Sequence, residues 1–164
     1  MFQNHFNYTQ GYGELPFSWN WHLLIKNLEN NFNNLISNKT AISKDNGYIS
    51  FYEDESSLRS STVFNNNSKA KNVFSTTIEN YFIDKKLNKI DFLKIDCEGA
   101  EYEIIENMDK TFLQEKINKI CLEYHIFNES DNILLDKMIK KLNECGFKTK
   151  IKNTMLYAKN QNFN

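Results

Sequence analysis

The chain has 164 residues, the length of one ordinary domain, so we expect a single domain over residues 1–164. Lysine and arginine number 20 against 21 acidic residues, and the formal net charge of −1 gives no field that would attract nucleic acid or anionic lipid. Hydrophobic residues make up 40% and aromatic residues 14% of the chain, which excludes a disordered polymer and predicts a packed core.

The three cysteines, Cys97, Cys121 and Cys145, are far apart and form no CxxC pair. Their spacing favours neither a disulfide framework nor a zinc ribbon, and it fits a reducing compartment. No stretch has the pattern of a signal peptide or of a membrane-spanning helix. We therefore expect a cytoplasmic protein with neither nucleic acid nor membrane as a partner.

The first third of the chain predicts a helix and a hairpin. Residues 1–18 show no period and contain the only proline, which indicates an irregular segment. Residues 19–32 place apolar side chains at spacings of three and four, the pattern of an amphipathic helix. The run "KTAISKDNGYISFY" predicts two strands joined by a tight turn at Asp45-Asn46-Gly47, because Asn and Gly tolerate positive backbone angles.

The middle of the chain is rich in serine and asparagine. Residues 53–71 have this composition and predict a mobile loop. A short strand at residues 73–75 and a helix over residues 77–86, with Thr77 near its N-cap, are expected to follow.

The second half alternates apolar runs with helical patterns, which predicts parallel strands connected by helices. The predicted strands are "KIDFLKI" and "INKICLEYH", and the predicted helices are "AEYEIIENM" and "DNILLDKMIKKLNECG". The segments "FKTKIK" and "TMLYAKN" alternate apolar and polar residues around Asn153, which predicts an antiparallel pair at the end of the sheet.

Two groups of titratable residues follow predicted strands. Asp96, Glu98 and Glu101 come after "FLKI", while Glu123 and His125 end the next strand. Ligands of open α/β sheets bind beyond the carboxyl ends of the strands, so these side chains would converge on one pocket if the two strands are neighbours. A carboxylate there could act as a general base towards a hydroxyl, with the histidine sharing or orienting the proton.

Structural roles and a metal site remain alternatives for these residues. Asp96 or Glu98 could instead bind the exposed amides where the next helix begins, and His125 could be a structural histidine. Two carboxylates and an imidazole could also hold a divalent cation. Lys94 lies on the same alternating face as Phe92 and Asp96, and a lysine within an apolar strand needs a partner or a cavity beside it.

The segment "IDFLKIDCEGAEYEIIENM" is similar to the hallmark of FkbM-type methyltransferases, which reads approximately "DFLKIDVEGAE" and continues into a helix. The segments "NWHLLIKNLENN", "KTAISKDNGYISFY", "VFSTTIENYF" and "INKICLEYH" resemble other parts of the family in the same order. The resemblance covers residues 19–159.

This resemblance implies a Rossmann-like class I methyltransferase fold, an α/β fold with a mostly parallel sheet and a C-terminal antiparallel pair. It implies S-adenosylmethionine as cofactor and a hydroxyl acceptor on a sugar or small natural product. The matching positions are Lys94, Asp96, Glu98, Gly99 and Glu101 in the hallmark, Ala41 where the family approaches the adenine, and Glu123 and His125 in the "LEYH" end.

From these matches and from their places at strand ends we predict roles for the residues. Catalysis is assigned to Asp96, Glu98 and His125. Cofactor binding is assigned to Glu14 for the ribose and to Ala41, Lys94 and Asp96. Binding of the small-molecule or glycan acceptor is assigned to Glu101, Glu123 and His125.

The chain departs from the family in its first residues. The family begins with a strand and a glycine-rich turn, approximately "DvGAniG", whereas here ten residues precede "GYGEL" and form no apolar strand. We therefore expect a methyltransferase fold that is incomplete on its N-terminal side, or one completed by a partner chain or by unusual pairing. A non-catalytic remnant or interaction module is the alternative function, and a metal-dependent hydrolase is a third.

Overall fold

The computed structural model describes residue 38 and residues 40–53, 69–97 and 99–163. The irregular segment predicted for residues 1–18, the helix predicted for residues 19–32, and the candidate residues Glu14 and Glu98 lie outside this part.

Within the described residues the chain forms seven strands and four helices. The strands are β1 (Ala41–Ile42), β2 (Gly47–Glu53), β3 (Lys69–Thr76), β4 (Leu93–Ile95), β5 (Lys119–Glu123), β6 (Phe147–Lys152) and β7 (Met155–Asn160). The helices are α1 (Ile78–Asp84), α2 (Glu101–Asn107), α3 (Lys110–Lys116) and α4 (Ser130–Glu144).

The strands form two mixed sheets. One has the order β1-β3-β2 and the other the order β4-β5-β7-β6. Only β1 with β3 and β4 with β5 pair in parallel, while β2 with β3, β5 with β7 and β6 with β7 are antiparallel. The α/β class is confirmed, but the prediction of a mostly parallel sheet is wrong: three of the five pairings among these strands are antiparallel, and the tight turn between β6 and β7 permits no other arrangement.

The predicted hairpin at Asp45-Asn46-Gly47 is also wrong. β1 and β2 do not pair with each other; they lie on opposite sides of β3. The turn instead covers the end of β3, where Ser75 donates its hydroxyl to the carbonyls of Asp45 and Gly47, and Thr76 donates to the Asn46 side chain. These bonds, together with a β1 of only two residues, explain why β3 takes the central place.

The segment predicted as a mobile loop, residues 53–71, is ordered at both ends. Glu53 pairs with Lys69 in the ladder between β2 and β3, so the prediction is wrong for residues 53 and 69–71. The remainder, residues 54–68, lies outside the described part. Backbone hydrogen bonds of a ladder do not require apolar side chains, which is why polar residues here gave no strand signal.

Three predicted helices are confirmed. Thr77 caps α1 by accepting a hydrogen bond from the Asn80 amide at 3.1 Å. α4 buries Leu135, Met138 and Leu142, whose spacing of three and four is the predicted amphipathic pattern. Across the described residues, no helix has the length and hydropathy needed to span a bilayer.

Helix α3 was not predicted. It has seven residues and buries only Leu113, and its N-cap is Asp109, which accepts a hydrogen bond from the Phe112 amide at 2.8 Å. A segment this short carries too few apolar positions to show a helical period. The cap formed by Asp109 was its one readable signal.

The second sheet carries the core on one face. Leu93 and Ile95 of β4 pair with Ile120 and Leu122 of β5, and all four are buried. The predicted strand at residues 89–95 is reduced to β4, with a separate bridge between Ile90 and Ile117. α4 packs against α2 and β6, which brings the helices over this apolar face.

The C-terminal antiparallel pair is confirmed. β6 and β7 pair from Phe147 with Asn160 to Lys152 with Met155, and Asn153 in the turn has a positive φ of 55°. This pair closes the second sheet beside β5.

Candidate functional site

The carboxyl ends of β4 and β5 lie side by side, as the sequence predicted. The two strands are parallel neighbours, and Ile95 is in register with Leu122. One residue beyond this pair stand Asp96 and Glu123, where the strands give way to loops. The two candidate groups therefore start from the same edge of the sheet.

Glu101 joins the two loops directly. Its side chain is fully buried, and Oε2 accepts a hydrogen bond from the Gly99 amide at 2.8 Å. Oε1 accepts from the His125 amide at 2.9 Å and lies 3.1 Å from Nδ1 of the same histidine. A buried carboxylate is tolerated when its oxygens are bonded in this way. We call Gly99, Glu101 and His125 the carboxylate clamp.

Gly99 is required by the shape of this turn. Its φ is 105°, a region that residues with a Cβ atom rarely adopt. The turn allows the amide of Gly99 to approach the carboxylate two residues later. The glycine in the "EGAE" pattern is therefore needed for the shape of the turn, in addition to the charged residues on either side of it.

Tyr102 binds the backbone carbonyl of His125, the residue whose backbone amide binds Glu101. The Tyr102 hydroxyl donates to the His125 carbonyl at 2.7 Å. Burial, with the neighbouring charges of Glu101 and Asp131, raises the pKa of Tyr102, so the phenol stays a hydrogen-bond donor. Both backbone polar groups of His125 are therefore fixed by adjacent residues of α2.

The loop after His125 is held by Asp131, which the sequence reasoning missed. Asp131 is buried, and its Oδ2 accepts from the amides of Phe127 at 2.8 Å and Asn128 at 3.0 Å. The readable signal was an aspartate in the first turn of a helix that follows a polar loop. The His125 ring stacks on Phe127 with centroids 5.9 Å apart.

Lys94, Asp96 and Glu123 lie in more open positions. Lys94 is exposed rather than buried, and its ammonium group lies 3.1 Å from the Ile95 carbonyl and 3.5 Å from Oδ2 of Asp96. The Asp96 side chain is 49% exposed. Glu123 accepts a hydrogen bond from the Thr154 hydroxyl at 3.2 Å. Because Lys94 is exposed, it does not need the partner or cavity expected for a buried lysine, although Asp96 forms an ion pair with it.

A cavity of about 280 Å³ lies beside the clamp, between the first sheet and α2. One wall comes from the segment after β1, with Ser43, Lys44 and Asp45, and another from Ala100, Glu103 and Ile104. Lys44 and Glu103 form an ion pair at 3.2 Å between the two walls. Its size is close to the lower end of the range for small-molecule sites.

The cavity fits part of a nucleoside cofactor by the chemistry of its walls. Ile49 and Ile104 offer apolar contact for a heterocycle, while hydroxyl, carboxylate and ammonium groups of residues 43–45 offer hydrogen bonds. Ala41, the predicted adenine neighbour, lies in β1 two residues before Ser43. The cavity and the clamp share the Gly99-Ala100 turn.

The sequence left a divalent-cation site as an alternative, but the described part of the chain contains no suitable set of ligands. No three His, Cys, Asp or Glu side chains there are placed to bind one ion. Glu98, one of the three residues considered for this role, lies outside that part.

Comparison with known proteins identifies a family. The model of the methyltransferase FkbM domain matches residues 15–149. Comparisons with curated proteins and with solved structures return no significant match. The family match includes the cavity walls and the clamp, and it confirms the resemblance carried by "FLKIDCEGAE". The chain therefore belongs to the FkbM methyltransferase family.

Proposed function

We propose that this protein transfers a methyl group from S-adenosylmethionine to a hydroxyl group of a sugar or small natural product. The family match supports methyl transfer in general. The observation that carries the finer proposal is the carboxylate clamp, because it brings the turn after β4 and the corner after β5 to one place.

The cofactor would occupy the cavity between β1 and α2. Residues 43–45 would contact the adenosyl part, and Ala100 and Ile104 would line its other side. S-adenosylmethionine supplies an electrophilic methyl group on a sulfonium ion. The chain has to orient an acceptor oxygen towards that methyl group, exclude water and remove the hydroxyl proton.

The acceptor would approach from the strand ends that carry Asp96, Glu123 and His125. Glu123 and Asp96 retain exposed oxygens that can bind hydroxyl groups of a sugar. Asp96 and His125 are the candidates for the base, and Lys94 would hold Asp96 in position through their ion pair. We also place the protein in the cytoplasm, since the spacing of its three cysteines does not favour a disulfide framework.

The test is methyl transfer by the full chain from isotope-labelled S-adenosylmethionine to a panel of sugars and phenols. We expect a product heavier by one labelled methyl group. Asp96→Asn separates the two candidate bases: a loss of about 100-fold or more assigns the proton to Asp96, and retained turnover assigns it elsewhere. Asp91→Asn is the matched control for folding, because Asp91 is also a half-exposed aspartate paired with a lysine but lies outside the proposed site.

A non-catalytic interaction module remains the second candidate, because the sequence shows no family-type glycine-rich turn before residue 19. The same assay separates the two functions. No transfer to any acceptor, together with no binding of S-adenosylmethionine to the full chain, would favour the module.

A further inference from the structure

Three nitrogen atoms lie within hydrogen-bonding distance of the Glu101 carboxylate, and two of them belong to His125. The amides of Gly99 and His125 donate to it at 2.8 Å and 2.9 Å, and Nδ1 of His125 lies at 3.1 Å. The side chain of Glu101 has no exposed surface, while that of His125 is 18% exposed. The histidine is thus the member of the pair that can reach a bound acceptor.

We infer that Glu101 is a positioning residue that fixes His125 with its proton on Nδ1, so that Nε2 accepts the proton of the hydroxyl being methylated. The inference rests on the proposed function. It assigns the base to His125 and gives Glu101 a role through that residue, without contact to substrate.

The hydrogen-bond chemistry of the clamp favours this tautomer. A carboxylate only accepts hydrogen bonds, so the ring nitrogen that faces it has to be a donor. In a neutral imidazole the other nitrogen, Nε2, then carries the lone pair. Because Oε1 also binds the His125 amide, the ring and the backbone are held from one atom, which limits rotation of the side chain.

The proton and electron balance of the step is complete. The acceptor oxygen forms a bond to the methyl carbon, and the electrons of the carbon–sulfur bond stay on sulfur, leaving a thioether. The hydroxyl proton moves to Nε2, and the resulting imidazolium donates its Nδ1 proton towards Glu101. The positive charge lost by the sulfonium ion reappears on a ring next to a carboxylate, where it is stabilised. Water then takes the proton.

Tyr102 provides the matched control for a purely structural role. Its hydroxyl binds the carbonyl of the same histidine at 2.7 Å but does not bind the ring. If the clamp only ties down backbone, changes at Glu101 and Tyr102 should have similar consequences. If the clamp sets the tautomer, only changes at Glu101 should alter the tautomer of the His125 imidazole.

The experiment is ¹⁵N NMR of the histidine rings in the full chain, with the His125 signals identified by their loss in His125→Gln. We expect the Nδ1-protonated tautomer in the wild type and in Tyr102→Phe. Glu101→Gln should shift the population towards the Nε2-protonated form, because the amide can present an NH₂ group to the ring. An Nε2-protonated wild type would overturn the inference, even if Glu101→Gln failed to fold.

Kinetics with the acceptor found for the wild type complete the test. Glu101→Gln should lower kcat about 10- to 100-fold with little change in KM for S-adenosylmethionine, and Tyr102→Phe should change kcat less than about threefold. A changed tautomer with unchanged kcat would remove His125 as the base. Absence of methyl transfer by the wild type would instead count against the proposed function, and the tautomer result would still stand.

Discussion

Glu101 links the turn after β4 to the loop after β5 through its two carboxylate oxygens. Its side chain is fully buried, and its two carboxylate oxygens are bonded to amides from two different loops. Removing it leaves those partly buried amides without their acceptor. An unsatisfied buried donor costs about 1–3 kcal/mol, so the residue stabilises the fold as well as the site.

We predict that Glu101→Ala lowers the free energy of unfolding by about 3 kcal/mol, measured by urea denaturation. Glu103→Ala is the control on the same helix. The Glu103 side chain is 63% exposed, and its ion pair with Lys44 contributes little, so the expected change is within about 0.5 kcal/mol. Equal losses in the two variants would contradict the assignment of Glu101 as the buried link.

The raised pKa of Tyr102 predicts how the free energy of unfolding changes at alkaline pH. Burial raises its pKa in the folded state above the value of about 10 that it has in the unfolded chain. The stabilisation from this shift is complete below that value and is lost as the pH rises above it.

The free energy of unfolding should therefore fall between about pH 9 and about pH 11, and it should fall less in Tyr102→Phe. Tyr81, whose pKa burial also raises, remains in both proteins and accounts for part of the residual slope. Urea midpoints across this interval provide the measurement. The same slope in both proteins would show that Tyr102 ionises normally in the folded state.

At the scale of single residues, the sequence showed which residue types cluster but not where they point. Glu101 and His125 were predicted to share a pocket, and the structure brings them into contact. That Glu101 turns inward while Asp96 stays half exposed depends on the positive φ of Gly99 and on burial by α2. Such orientations arise from tertiary packing and cannot be read from spacing alone.

The short helix α3 depends on a residue from the last strand. Asn160 is fully buried, and its Nδ2 donates to the carbonyls of Gln114 at 2.8 Å and Ile117 at 2.9 Å. Its Oδ1 accepts from the Asn162 amide at 3.0 Å. The carbonyls at the end of α3 would otherwise lack partners, so β7 stabilises this helix through one amide.

We predict that Asn160→Asp destabilises the protein by about 3 kcal/mol or more, because a carboxylate would face carbonyl oxygens instead of donating to them. Thermal unfolding followed by circular dichroism measures the effect. Asn162→Asp, two residues away and exposed, should stay within about 0.5 kcal/mol of the wild type. A mild effect at Asn160 would mean that α3 does not depend on this contact.

Elements with a strong period were predictable, and elements held by long-range contacts were not. α4 was visible from the spacing of Leu135, Met138 and Leu142. The order β1-β3-β2 was not, because the turn residues that suggested a hairpin bind the end of β3 instead. Local turn chemistry indicates where a chain bends, while strand order depends on which neighbour buries more surface.

In the whole molecule, α2 connects the two halves of the proposed site. One side of its first turn lines the cavity next to β1 through Ala100, Glu103 and Ile104. Glu101, on another side, binds the corner after β5. A methyl donor in the cavity and an acceptor at the strand ends would therefore meet across the Gly99-Ala100 turn. The central claim of the proposed function is that this turn is the meeting point.

The most direct test is titration of the ¹⁵N-labelled full chain with S-adenosylmethionine while amide chemical shifts are recorded. We predict that the largest changes fall on residues 43–45 and 99–103 and on His125, which surround the cavity and the clamp. The exposed strand β6, at the far edge of the second sheet, should stay unchanged. No shift at about 1 mM ligand, or changes concentrated on β6, would contradict the proposed site.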